Sequence, residues 1–113
     1  MGLDQGWSTV ERHEFATHRK FNALEGFMRD MWASFGNEGE FNCVDLRITT
    51  EILDELKQRI EDDNLEPVEG FFFGTTEKND WYKRDIEELR DTVIPAAEAY
   101  LKEGKTVVYS SWW

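Results

Sequence analysis

Glu69–Thr76 reads E-G-F-F-F-G-T-T, and the rest of the 113-residue chain is organised around it. Three consecutive phenylalanines between Gly70 and Gly74 predict a short buried strand. Thr75, Thr76 and the acidic residues after them predict the turn into a long helix, capped by Asn79 or Asp80. A strand–turn–helix corner of this kind is a common setting for a binding site. In the helix, Trp81, Ile86, Leu89, Val93, Ala97, Tyr100 and Leu101 gather on one broad apolar side, and Gly104 ends it. Pro95 falls inside this run and predicts a kink or a break, because proline removes a helix hydrogen bond. Thr106–Tyr109 is β-branched and aromatic and predicts a second strand. The crossover through the helix leaves open whether the two strands run parallel.

Upstream, Gly2–Val10 reads as an extended or irregular arm, with Ser8–Val10 as a strand edge, and the arm reaches to about residue 15. Phe21, Leu24, Phe27, Met28, Met31 and Phe35 recur at three- and four-residue spacing. They predict a helix over Thr17–Phe35, capped by Thr17 and stopped by Gly36. Gly26 costs this helix about 1 kcal/mol relative to Ala. Val44, Leu46 and Ile48 alternate with Asp45 and Arg47, which predicts a short half-buried strand. Thr49 or Thr50 caps a second helix, about Glu51–Asp62, with Ile52, Leu53, Leu56 and Ile60 as its stripe. Glu61, Asp62 and Asp63 crowd negative charge at its C-terminal end, the wrong sign for the helix dipole. Asn64–Pro67 is a turn. Together these elements predict one α+β (or α/β) domain, with two to three helices packed on a small sheet.

Composition narrows the function classes. There are 24 acidic and 13 basic side chains, for a formal charge of −11. Direct nucleic-acid binding is disfavoured, because phosphate contacts need a positive patch. An acidic surface suits a basic partner, a bound cation or simple solubility. Five Trp, eight Phe and three Tyr are many for so charged a chain, so it folds rather than staying disordered. Some of these rings are then available to a binding surface, where aromatics are enriched. The single cysteine, Cys43, cannot form an internal disulfide and reads as a small core residue in a reducing cytosol. No apolar run approaches membrane-spanning length and the start lacks signal-peptide regions, so the expected location is the cytoplasm.

No catalytic residue can be assigned from motifs. There is no G-x-x-x-x-G-K-[ST], no G-x-G-x-x-G, no H-E-x-x-H and no G-x-S-x-G. His13 and His18 are five apart, which does not place two ligands on one helix face. Glu77, Asp80 and Asp85 suit a divalent cation, yet acids at a helix start are also what capping favours. No cofactor or metal is expected. Two binding sets remain. A small ligand or nucleotide at the Gly74–Asp80 corner would meet Arg19, Lys20, Asn22, Thr75, Thr76, Asp80 and Tyr82. A protein partner would meet Trp81, Trp112, Trp113, Glu61, Asp62 and Asp63, aromatic anchors among acids.

Four segments also carry a resemblance: M-G-L-D at 1–4, His18-Arg19-Lys20-Phe21-Asn22, the Glu69–Thr76 stretch followed by Asp80 and Tyr82, and Tyr109-Ser110-Ser111-Trp112. Together they resemble a family of small phage and prophage proteins with no established activity. Its relatives continue the first helix with a His and a Trp, where this chain has Ala23-Leu24-Glu25-Gly26-Phe27. Any site built on those residues is altered here. Some relatives carry the label of a glycolytic kinase, which a chain of this length without nucleotide loops does not fit. The resemblance implies a virus-encoded accessory protein of the bacterial cytoplasm. Such a protein would bind and disable a host factor, such as a defence (CRISPR-type) nuclease, through an acidic surface that mimics DNA. The alternative is a ligand-binding protein, a sponge or minor enzyme, using the Gly74–Asp80 corner.

Overall fold

The computed structural model of the chain describes residues 3–10, 13–19, 21–66 and 80–112. The strand and turn expected at E-G-F-F-F-G-T-T lie outside the described residues, as do Lys20 and Trp113. The elements follow the order β1 (Asp4–Thr9), β2 (His13–Arg19), α1 (Asn22–Ser34), β3 (Asp45–Ile48), α2 (Thr50–Glu61), α3 (Asp80–Glu88), a π turn (Leu89–Val93), α4 (Ile94–Lys102) and β4 (Val107–Trp112). This is an α+β fold, three helical units on a four-stranded sheet. The strand order is β2-β1-β4-β3, and every pairing is antiparallel.

The N-terminal reading is corrected. The expected arm over residues 1–15 contains β1 and the start of β2, and β1 is one of the two inner strands. Its sequence, D-Q-G-W-S-T, shows almost no apolar alternation. It is a strand because ladders to β2 and β4 hold both of its edges. The helix expected from Thr17 starts instead at Asn22, with Phe21 at the cap position. Thr17 pairs with Gly6 in the sheet and caps nothing. A bulge between Trp7 and Ser8 adds one residue on the β2 side, Phe15, whose ring packs 5.0 Å from that of Tyr100. Cys43 is exposed, not in the core, and adopts a left-handed backbone (φ 59°) where its N–H donates to Ser111 O at 2.7 Å.

Other expectations hold. Leu46 and Ile48 of β3 are buried and Asp45 and Arg47 exposed, as the alternation predicts. Thr49 caps α2, its hydroxyl accepting from the Ile52 N–H at 3.3 Å. The helix of residues 80–102 is interrupted before Pro95. The Ile94 N–H reaches back to Leu89 O, a five-residue bond that widens the turn, and Pro95 then enters the first turn of α4. Gly104 (φ 81°) closes α4, with Gly104 N–H on Leu101 O and Lys105 N–H on Tyr100 O, both 3.0 Å. That paired capping pattern needs a left-handed residue, which glycine adopts without strain.

Residue alternation sends Gln5, Trp7, Thr9, Val107, Tyr109 and Ser111 to one face of the sheet, and all are buried. There they meet Leu24, Phe27 and Met28 of α1, Ile52, Leu53 and Leu56 of α2, and Leu89, Val93, Ile94 and Ala97 of the last helix. Fully burying such side chains stabilises the fold by about 1.5–3 kcal/mol each. Trp7 and Tyr109 meet edge to face at 5.5 Å in the middle of this layer. The other face carries Asp4, Ser8, Val108, Ser110 and Trp112, none of them fully buried.

Candidate functional site

The same alternation that builds the core carries polar side chains into it. Gln5 clamps the start of α1: its Nε2 donates to Phe21 O at 2.9 Å and its Oε1 accepts from Phe21 N–H at 2.8 Å. Gln5 Nε2 also donates to the Tyr109 hydroxyl at 2.8 Å. Tyr109 donates onward to Glu25 Oε1 at 2.7 Å, and the Ser111 hydroxyl donates to Glu25 Oε2 at 2.8 Å. Beside them, Trp7 Nε1–H donates to His18 Nε2 at 3.1 Å. All six side chains are buried. The Y-S-S-W segment therefore has an architectural meaning, since Tyr109 and Ser111 are alternate strand residues aimed at one carboxylate.

Burial dominates the electrostatics of these side chains. Burial, followed by the nearby Glu25 charge, pushes the Tyr109 phenol well above its usual range. Burial pulls His18 down to about 4. His18 is therefore neutral at pH 7. Nε2 accepts from Trp7, so the ring proton sits on Nδ1. Among the described residues, every buried side-chain nitrogen and oxygen has a hydrogen-bond partner. Glu25 was legible in part: it lies four residues after Phe21 and three before Met28, a charge inside the apolar stripe.

The expected ligand residues are placed as follows. Arg19 is exposed at the end of β2, its Nε 4.0 Å from Asp4 Oδ1 on the outer side of the sheet. Asn22 is buried in the first turn of α1. Asp80 opens α3 and is exposed, and the Tyr82 hydroxyl donates to Leu65 O at 2.6 Å. Lys20, Thr75 and Thr76 lie outside the described residues. An open groove elsewhere, where α2 begins beside α4, is lined by Thr50, Pro95, Glu98, Ala99, Leu101 and Lys102.

The expected partner residues divide between two faces. The Tyr82–Leu65 hydrogen bond ties the first turn of α3 to the segment just after Asp63. It brings Trp81 to the same end of the helical layer as Glu61, Asp62 and Asp63, all exposed. Trp81 is 68 % exposed, and the Arg84 guanidinium lies 4.8 Å from the centre of its ring. Trp112 is 44 % exposed but sits on the outer face of the sheet, beside Asp4 in register. Trp113 lies outside the described residues. Residues 50–66 and 80–103, which form the last three helices and their ends, hold fourteen acidic and six basic side chains. Eight of the eleven excess negative charges are therefore on this helical layer, and its acids are exposed or, like Asp85 and Glu98, only partly buried.

Among the described residues no three His, Cys, Asp or Glu side chains are grouped to hold a metal ion, and no helix is long and apolar enough to cross a membrane. No protein-family model, no curated protein and no solved structure matches this chain.

Proposed function

We propose that this protein works by binding another protein, and that the acidic helical layer is the surface it uses. On this reading it is a phage-encoded accessory protein of the bacterial cytoplasm. It occupies a basic surface on a host protein, such as the nucleic-acid-binding face of a defence nuclease, as a mimic of DNA. One observation carries the reading: the excess negative charge is concentrated on the helices of residues 50–66 and 80–103, and an exposed Trp81 stands among those charges. A patch of one sign steers and holds a partner of the other. The buried polar side chains support a non-enzymatic role, because Gln5, Tyr109, Glu25 and Ser111 spend their hydrogen bonds on one another.

The test is affinity capture from bacterial lysate at low and high salt, with the bound proteins identified by mass spectrometry. The expected result is one abundant partner with a basic surface that is released by salt and lost when Glu61, Asp62 and Asp63 are reversed to lysine. Capture that ignores both changes would sink the electrostatic reading.

A further inference from the structure

We propose that the exposed face of Trp81 is a receiving slot for an arginine from a basic segment of the partner protein, and that Arg84 occupies that slot in the free protein. The inference rests on the acidic-surface reading above, which supplies the sign of the partner.

Helical spacing divides α3 into two stripes. Tyr82, Ile86 and Leu89 turn toward the core and are buried or partly so. Trp81, Arg84, Asp85 and Glu88 share the neighbouring stripe at spacings of three, four and seven. A single exposed apolar side chain needs no explanation. What distinguishes Trp81 is the cation already lying over its ring, flanked by two carboxylates on the same stripe. Indole is the best of the aromatic faces for a cation, and guanidinium adds planar stacking that an ammonium lacks. Among the described residues no ion pair fixes Arg84, so the ring is its main anchor and a guanidinium from outside can compete for it. Asp85 and Glu88 lie where the second positive charge of an arginine-rich segment would be met. Asp85 is pushed up to about 6 by burial and by Glu88, with Arg84 opposing, so an added cation beside it favours its charged form.

The experiment uses the full chain and two peptides of equal length and charge, one arginine-rich and one lysine-rich, titrated by calorimetry at low salt. The expected result is tighter binding of the arginine peptide, weakened about fivefold by Trp81→Ala, the scale of one exposed cation–π contact. Arg84→Ala vacates the ring and should tighten binding more than Lys83→Ala, which removes the same charge from the same helix without touching the indole. Circular dichroism confirms that each variant is folded, and Trp81→Phe should fall between wild type and Trp81→Ala. If Trp81→Ala binds like wild type, or Arg84→Ala merely equals Lys83→Ala, the slot is overturned. If binding then still disappears on reversing Glu61, Asp62 and Asp63, the acidic-surface reading stands without it. Failure of the wild type to bind either peptide overturns both.

Discussion

Glu25 and Glu61 are both helix glutamates, and they live in opposite surroundings. Glu25 lies under the sheet and accepts from Tyr109 and Ser111. Glu61 stands in water at the end of α2, in a run of three acids. A buried charge whose hydrogen bonds are made inside the fold contributes to which structure forms. An exposed charge contributes little to stability but sets the field that a partner meets. The buried network is therefore sensitive to mutation and insensitive to salt, and the acidic surface the reverse.

The comparison can be broken most easily at Glu25. Glu25→Ala leaves two buried hydroxyls without their acceptor, and at about 1–3 kcal/mol for each orphaned group the expected loss is about 2–6 kcal/mol. Urea unfolding checks this: the midpoint should fall, with the slope unchanged. The second test is acid. His18 has a folded pKa of about 4 against 6.5 for a free histidine. The unfolded chain takes up that proton first, so the stability from neutral His18 is complete above pH 6.5 and is lost as pH falls toward 4. Its full size is about 3 kcal/mol at 1.36 kcal/mol per pKa unit. Asp85 acts in the opposite direction, because its pKa is raised to about 6 and its burden on the fold is relieved as pH falls through that value. The two effects oppose each other between pH 7 and 4, so the His18 part is read as a difference: wild type should lose stability relative to His18→Gln as pH falls. If wild type and His18→Gln change in parallel with pH, burial of His18 does not contribute to the acid response.

Smaller effects sharpen the contrast. Thr49→Ala removes the cap of α2 and should cost about 1 kcal/mol in chemical denaturation. Neutralising Glu61, Asp62 and Asp63 together to Gln, Asn and Asn should cost no more than about 1 kcal/mol, because exposed contacts such as Gln58 to Asp62 contribute little. The same change should weaken salt-sensitive capture of a basic partner, so the triple variant separates folding from binding in one molecule.

Several features were legible before any coordinates. The stripe of Ile52, Leu53 and Leu56 found α2, and the alternation at Leu46 and Ile48 found β3, because amphipathic periodicity is a local signal. Pro95 and Gly104 marked the break and the end of the last helix through backbone chemistry that no tertiary context can alter. β1 was missed because D-Q-G-W-S-T looks polar and irregular alone, and only its two ladders make it a strand. The start of α1 was set too early because Thr17 is a good cap in isolation, whereas here the Gln5 amide from another strand holds Phe21. Cys43 was placed in the core by the habit of its residue type, and the left-handed turn facing Ser111 keeps it outside.

By itself the sequence determined a mixed helix-and-sheet domain, α+β or α/β, the helix limits near Thr49, Pro95 and Gly104, and an acidic charge too large for phosphate binding. Those depend on periodicity, backbone constraints and composition, which travel with the chain in any fold. The tertiary structure alone decided that Glu25, Tyr109, Gln5 and Ser111 meet, since residues as far apart as 5 and 109 become neighbours only through the register of β1 on β4. It also decided that the acids gather on the helical layer and that Trp81 and Trp112 face different ways, because the side on which a residue lies depends on what its element packs against.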